Sequence, residues 1–221
     1  MKFTANKKIF FAFTAAAVFI LNSCIGLSMD IQLNKNGSGK LIMEYRISNT
    51  LIDLGAVDGN KNWPTIPVGR QDWERTIRRI DGAKLSSFST NKTGQDTFIK
   101  VTIDFNNPDA LLKIIDSAGG NSSLNMSGQL LSINLFDSPK DDISEYDDFI
   151  GMTGHMFEGY NFSISFGAWE NSTLKITNQN GGAFNPPASA KIVNEGKKTS
   201  FSMEMKDLLN LSDNIELRFN W

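Results

Sequence analysis

One histidine, His155, and one cysteine, Cys24, occur in the 221 residues. No disulfide can close within such a chain, and zinc sites built from several Cys and His side chains are excluded. A Ser-His-Asp triad would rest wholly on His155, which follows Gly154 near the C-terminal end of an expected helix. A cation there suits the helix dipole, and a structural or surface role is the expectation. Proline is scarce as well, with 6 residues, and no Pro- or Ser-rich linker, charge block or heptad divides the chain. Basic residues hold no majority: Lys and Arg number 22 against 24 Asp and Glu. That balance disfavours nucleic acid and anionic headgroups as bulk electrostatic partners. The longest apolar run, Ile9–Leu21, falls short of the roughly 20 residues that a membrane-spanning helix requires.

The run instead suits a signal peptide, with a basic n-region, "MKFTANKK", before it and a small residue, Ser23, after it. Leu21-Asn22-Ser23-Cys24 resembles the lipobox of bacterial lipoproteins, with Leu at −3 and Ser at −1 and an atypical Asn at −2. The resemblance implies cleavage before Cys24 and acylation of its thiol, so residues 1–23 are expected to leave and 24–221 to form one extracytoplasmic domain. Two or more acyl chains hold a protein stably on a membrane, at about 0.8 kcal/mol per buried CH₂. Loss of Lys2, Lys7 and Lys8 with the signal takes the formal charge from −2 to −5. An ordinary secretory signal beside an incidental buried cysteine is the alternative.

From Met29 onward the pattern is strand-like. "LSMDIQL" and "KLIMEYRIS" flank Asn36-Gly37-Ser38-Gly39, a hairpin signal because Asn and Gly tolerate positive φ. Trp73, Ile77 and Ile80 at i, i+4 and i+7 predict a helix over 70–81. A second hairpin, "AKLSSFST" with "DTFIKVTIDF", precedes a helix in "NPDALLKIIDSAGG", capped by Asn107 and begun by Pro108. A third hairpin turns at Gly128 and is followed by a helix from Ser138, with Ile143, Tyr146, Ile150 and Phe157 as its stripe. Strands then dominate: "YNFSISFGAW", "STLKITNQ", "ASAKIVNE", "TSFSMEMK" and "NIELRFNW". Alternation with one polar face favours antiparallel pairing. The expected fold class is α+β, one large antiparallel sheet built from hairpins with about three helices packed on it.

Few residues suggest chemistry. The acids of "DSPKDDISEYDD" miss the EF-hand spacing and its central Gly, and read better as a solvated helix N-terminus than as a Ca²⁺ site. Arg70, Arg75, Arg78 and Arg79 could grip headgroup phosphates, but interleaved Asp72, Glu74 and Asp81 favour a solvated face. Asn36-Gly37-Ser38-Gly39 lacks the Lys-Ser/Thr and helix of a phosphate loop. The Asn-x-Ser/Thr triplets at Asn91 and Asn171 carry no weight in a bacterial lipoprotein. No metal, cofactor or catalytic residue is expected.

Phe98, Phe105, Phe136, Phe162, Phe166, Phe201 and Phe219 lie on strands, with Met43, Met203 and Met205. They fill a core, or some of Phe162, Phe166, Phe201 and Met203 line an apolar pocket. A lipobox followed closely by "MDIQLNKNGSGKLIMEYRI", with "IELRFNW" at the other end, is similar to the LppM-type bacterial lipoproteins. That resemblance implies a β-rich extracytoplasmic domain that binds lipid or glycolipid. It also leaves attachment to Cys24, because the membrane helix often found after the domain in that family has no counterpart in the sequence.

The leading expectation is therefore a lipid-anchored, non-enzymatic envelope protein, periplasmic or on the outer surface, binding an apolar ligand (lipid or glycolipid) or an envelope partner. A second is an adhesin-like protein using the long 52–69 loop with Trp63. A third is a hydrolase using two carboxylates across a cleft.

Overall fold

The computed structural model describes residues 26–49, 52–53, 67–115, 122–135, 159–178, 182–211 and 214–221. Cys24, His155, the acidic stretch 137–148, the helix expected from Ser138 and most of the 52–69 loop, Trp63 included, lie outside them.

Hairpins form where the turn residues put them. β1 (Gly26–Leu33) pairs antiparallel with β2 (Gly39–Ser48), and Gly37 takes a φ of 79° in the turn. β3 (Ala83–Lys92) and β4 (Asp96–Phe105) form the second hairpin. β5 (Ser123–Asn125) and β6 (Leu130–Leu135) form the third. The strand-rich half supplies β7 (Asn161–Gly167), β8 (Thr173–Asn178), β9 (Lys191–Glu195), β10 (Lys198–Glu204) and β11 (Ile215–Asn220).

The helices are short. α1 (Arg70–Ile77) buries Trp73 and Ile77 but stops four residues before the expected end, as Arg79 and Ile80 donate to carbonyls three residues back. Trp73 Nε1 donates to the Tyr45 hydroxyl on β2 at 2.8 Å, pinning α1 to the sheet. α2 (Pro108–Ile115) starts as expected: Ala110 N–H donates to Asn107 Oδ1 at 2.8 Å. α3 (Met205–Leu209) replaces the end of the expected strand "TSFSMEMK". Alternation could not reveal that switch, because Phe201, Met203 and Met205 are all buried on both sides of it.

Among the described residues the single antiparallel sheet is corrected to two. A seven-stranded sheet has the order β3-β4-β2-β1-β7-β10-β9, and a four-stranded sheet the order β5-β6-β11-β8. Within the larger sheet β1 runs parallel to β7, so it is mixed. A parallel pair with one wet face is unusual, yet Met29 and Ile31 face the core beside Ile164 and Phe166 while Ser28 and Asp30 lie outward beside Ser163 and Ser165. Alternation reports the buried face of a strand and carries no information on its partner's direction. The result is a mostly-β α+β fold in which helix packing is minor.

Between the sheets lies one contiguous hydrophobic cluster. Phe166 of the larger sheet meets Phe219 and Trp221 of the smaller one at centroid distances of 5.4 and 4.9 Å.

On the other face of β11, Glu216 accepts hydrogen bonds from Arg218, Ser132 and Thr177. Burial pushes its carboxyl up, but those donors outweigh burial and hold it below its ordinary value of 4.5. The folded carboxyl is thus the stronger acid. Its contribution is present above that ordinary value and is lost as pH falls through the folded pKa. Glu216→Gln should therefore lower the melting temperature most near neutral pH, the gap to the parent closing as the pH falls below 4.5 and through the folded pKa. Circular dichroism melts across that range check it; a gap that widens in acid would reject the assignment.

Candidate functional site: a groove on the outer sheet face

The outward face of the seven-stranded sheet is polar because every second residue of each strand turns away from the core. Register lines these residues up in rungs. One rung runs Asn91, Phe98, Arg46 and Gly26 across β3, β4, β2 and β1. The next runs Ser89, Lys100, Glu44, Ser28 and Ser163, reaching β7. Between and beside these side chains lies a groove of about 340 Å³, bounded on β7 by Asn161 and Ser163. Gly26 has no side chain to fill its place in the first rung, which keeps the floor low there.

Most polar groups of the groove are held by one another. Lys100 Nζ lies 2.6 Å from Glu44 Oε1, and Ser163 Oγ donates to Ser28 Oγ at 2.9 Å. Arg46 donates from Nε and Nη2 to one oxygen of Asp96, at 2.9 and 2.7 Å. The Tyr160 hydroxyl donates to the other oxygen at 3.2 Å. The guanidinium is also placed between two rings, 4.4 Å from the Tyr160 centroid and 5.7 Å from that of Phe98. Asp96 is buried and Arg46 half-exposed, so the arginine is fixed on one side by the carboxylate while it lines the groove.

Beneath the groove Tyr45 faces inward, and burial pushes its phenol up to about 12. It donates to the Pro67 carbonyl and stays protonated at any physiological pH. No family model and no curated protein matches the chain.

The four residues nominated for an apolar pocket do not line the groove. Phe162, Phe166, Phe201 and Met203 are buried on the inner faces of β7 and β10, with Phe162 and Phe201 edge to face at 6.4 Å. They and the groove occupy opposite faces of one sheet. Phe98 is the residue that sequence reasoning placed wrongly, among the core aromatics. It is 43% exposed. The signal was present in "DTFIKVTIDF": Thr97, Ile99, Val101, Ile103 and Phe105 share one parity and are buried, whereas Phe98 shares the other with Lys100, Thr102 and Asp104. An aromatic ring on the polar parity of a strand is a better ligand candidate than one on the apolar parity. Asn91, dismissed as a sequon, is a wall of the same groove.

The arginines of α1 are exposed, as expected for a solvated face, with Arg70 3.1 Å from Glu74 and Arg75 4.0 Å from Asp72. Among the described residues no group of three or more His, Cys, Asp or Glu could hold a metal ion, and no helix is long and apolar enough to cross a membrane.

Proposed function

We propose that this chain is a lipid-anchored, non-enzymatic protein of the bacterial cell envelope that binds a sugar-bearing ligand in the outer groove of its larger sheet. The observation that carries the ligand class is Phe98, an exposed ring in the groove set between Asn91 and Arg46. A sugar ring has an apolar C–H face that can lie on an aromatic ring and a rim of hydroxyls that needs donors and acceptors. Asn91, Asn161, Ser28 and the Lys100–Glu44 pair supply both. The volume stands at the small end of the roughly 300–1,000 Å³ usual for small-molecule sites. An acyl chain has no comparable support, since the apolar side chains nominated for it fill the core. A carboxylate-pair hydrolase has little either: among the described residues Glu44 is the one carboxylate lining the groove, and Lys100 neutralises it.

Binding to bacterial glycans, offered free and as glycolipids in vesicles, tests the ligand and separates its two sources. Phe98→Ala should weaken binding by about 10-fold, equivalent to about 1.4 kcal/mol, with the melting temperature nearly unchanged because the ring is half in water. Retained affinity in Phe98→Ala and Asn91→Ala would rule the groove out. The anchor has its own test: Cys24→Ala should leave an uncleaved or soluble chain. A processed form that still fractionates with membranes after a high-salt wash would refute anchoring through Cys24.

A further inference from the structure

Among the described residues the larger sheet ends on two edges without a further strand, and they differ in kind. β3 carries a bulge between Leu85 and Ser87, and lysines at both ends, Lys84 and Lys92. Those are the usual devices that prevent one sheet from extending into another. β9 pairs with β10 without a register shift, all five of its residues are exposed, and two of them are Ile192 and Val193, 48% and 46% exposed.

Its polarity can be read from the turn. Gly196 has a φ of 65°, while Lys197 is not among the residues of positive φ, so the two-residue loop is of type II′. Such a loop makes Glu195 and Lys198 the hydrogen-bonded closing pair. Along β9, then, the backbone groups of Lys191, Val193 and Glu195 are turned to β10, and those of Ile192 and Asn194 to the free edge. Lys191, Val193 and Glu195 share the outward face, since their partners Ser202, Ser200 and Lys198 do.

We propose that β9 pairs antiparallel with β9 of a second copy of this chain, about a two-fold axis through Val193. The edge is self-complementary in this register. Ile192 meets Asn194 of the second copy as a hydrogen-bonded pair, which uses the backbone groups that face outward. Val193 meets its own counterpart as the closely spaced, non-hydrogen-bonded pair. Lys191 meets Glu195 twice, once on each side of the axis, on the same face as the two valines. Sliding the strand by two residues keeps the backbone polarity but sets Lys191 or Glu195 opposite Val193, so charge selects the register. Pairing unites the two larger sheets into one and leaves both grooves open, because each lies at the β3–β4–β2–β1–β7 end. A five-residue strand buries little area, so the dimer should be weak and favoured by high local concentration.

Sedimentation equilibrium of the purified chain and of two variants decides the matter. Lys191→Glu alone and Glu195→Lys alone each face like charges twice across the axis and should weaken self-association by about 10-fold. Mixed one to one, they face opposite charges at both sites and should form a heterodimer, visible in native mass spectrometry by its mixed mass. General damage to β9 would not be repaired by mixing. A parent chain that stays monomeric up to about 1 mM, near the weakest affinity usually counted, overturns the proposal. So do single variants that associate like the parent, or a mixture that yields no heterodimer.

Discussion

Deletion of residues 213–221 is expected to abolish cooperative unfolding. Chain ends usually fray, but β11 is an interior strand of the four-stranded sheet, paired with β6 on one side and β8 on the other. Without it those two strands have no common partner. Ile215, Leu217, Phe219 and Trp221 are 1%, 0%, 0% and 7% exposed. Burying each such side chain contributes roughly 1.5–3 kcal/mol. Their loss is then comparable with the whole stability of a domain, about 5–15 kcal/mol. Trp221 is held further by its backbone N–H donating to the Gln129 carbonyl at 3.2 Å and by an edge-on contact with Trp169 at 5.6 Å. Scanning calorimetry should show no sharp endotherm for the truncated chain. A single transition near that of the parent would mean that the smaller sheet is dispensable.

Phe166→Ala should cost a large part of the stability of the fold. Phe166 is fully buried on β7, flanked in the ladder by Ile31 and Thr199, and its ring is the link to Phe219 and Trp221 across the two sheets. Large-to-small changes at such sites cost about 3–5 kcal/mol, because the cavity collapses only in part. For a chain of this size each kcal/mol lowers the melting temperature by about 2–4 °C, which gives roughly 10 °C here. Phe166→Leu should lose much less, since it keeps most of the volume. A shift of only about 2 °C for the alanine variant, the effect of less than 1 kcal/mol, would show that the sheets are not joined through this ring.

The contrast between Phe166 and Phe98 shows where sequence reasoning stops. Both were legible as strand aromatics, and parity within each strand already separated them: Phe166 alternates with Ser165 and Gly167, Phe98 with Thr97 and Ile99. The groove itself was not legible, because its rungs join residues from β3, β4, β2, β1 and β7, and only register decides who stands beside whom. Arg46 and Asp96 are separated by 50 positions and meet through a strand pairing that neither strand's own sequence specifies.

By itself the sequence determined the local structure: the three hairpin turns, the cap of α2, the buried parity of strands such as β4, β7, β10 and β11, and the docking of "IELRFNW". These follow from backbone φ preferences, from side chains within one turn of each other and from the two-residue period of a strand. The tertiary structure alone decided that there are two sheets rather than one, that β1 runs parallel to β7, and that Phe98 and Arg46 share a groove. Those outcomes depend on which strands condense together, and that choice is made by the fit of whole buried faces, Phe166 against Phe219 and Trp221 above all.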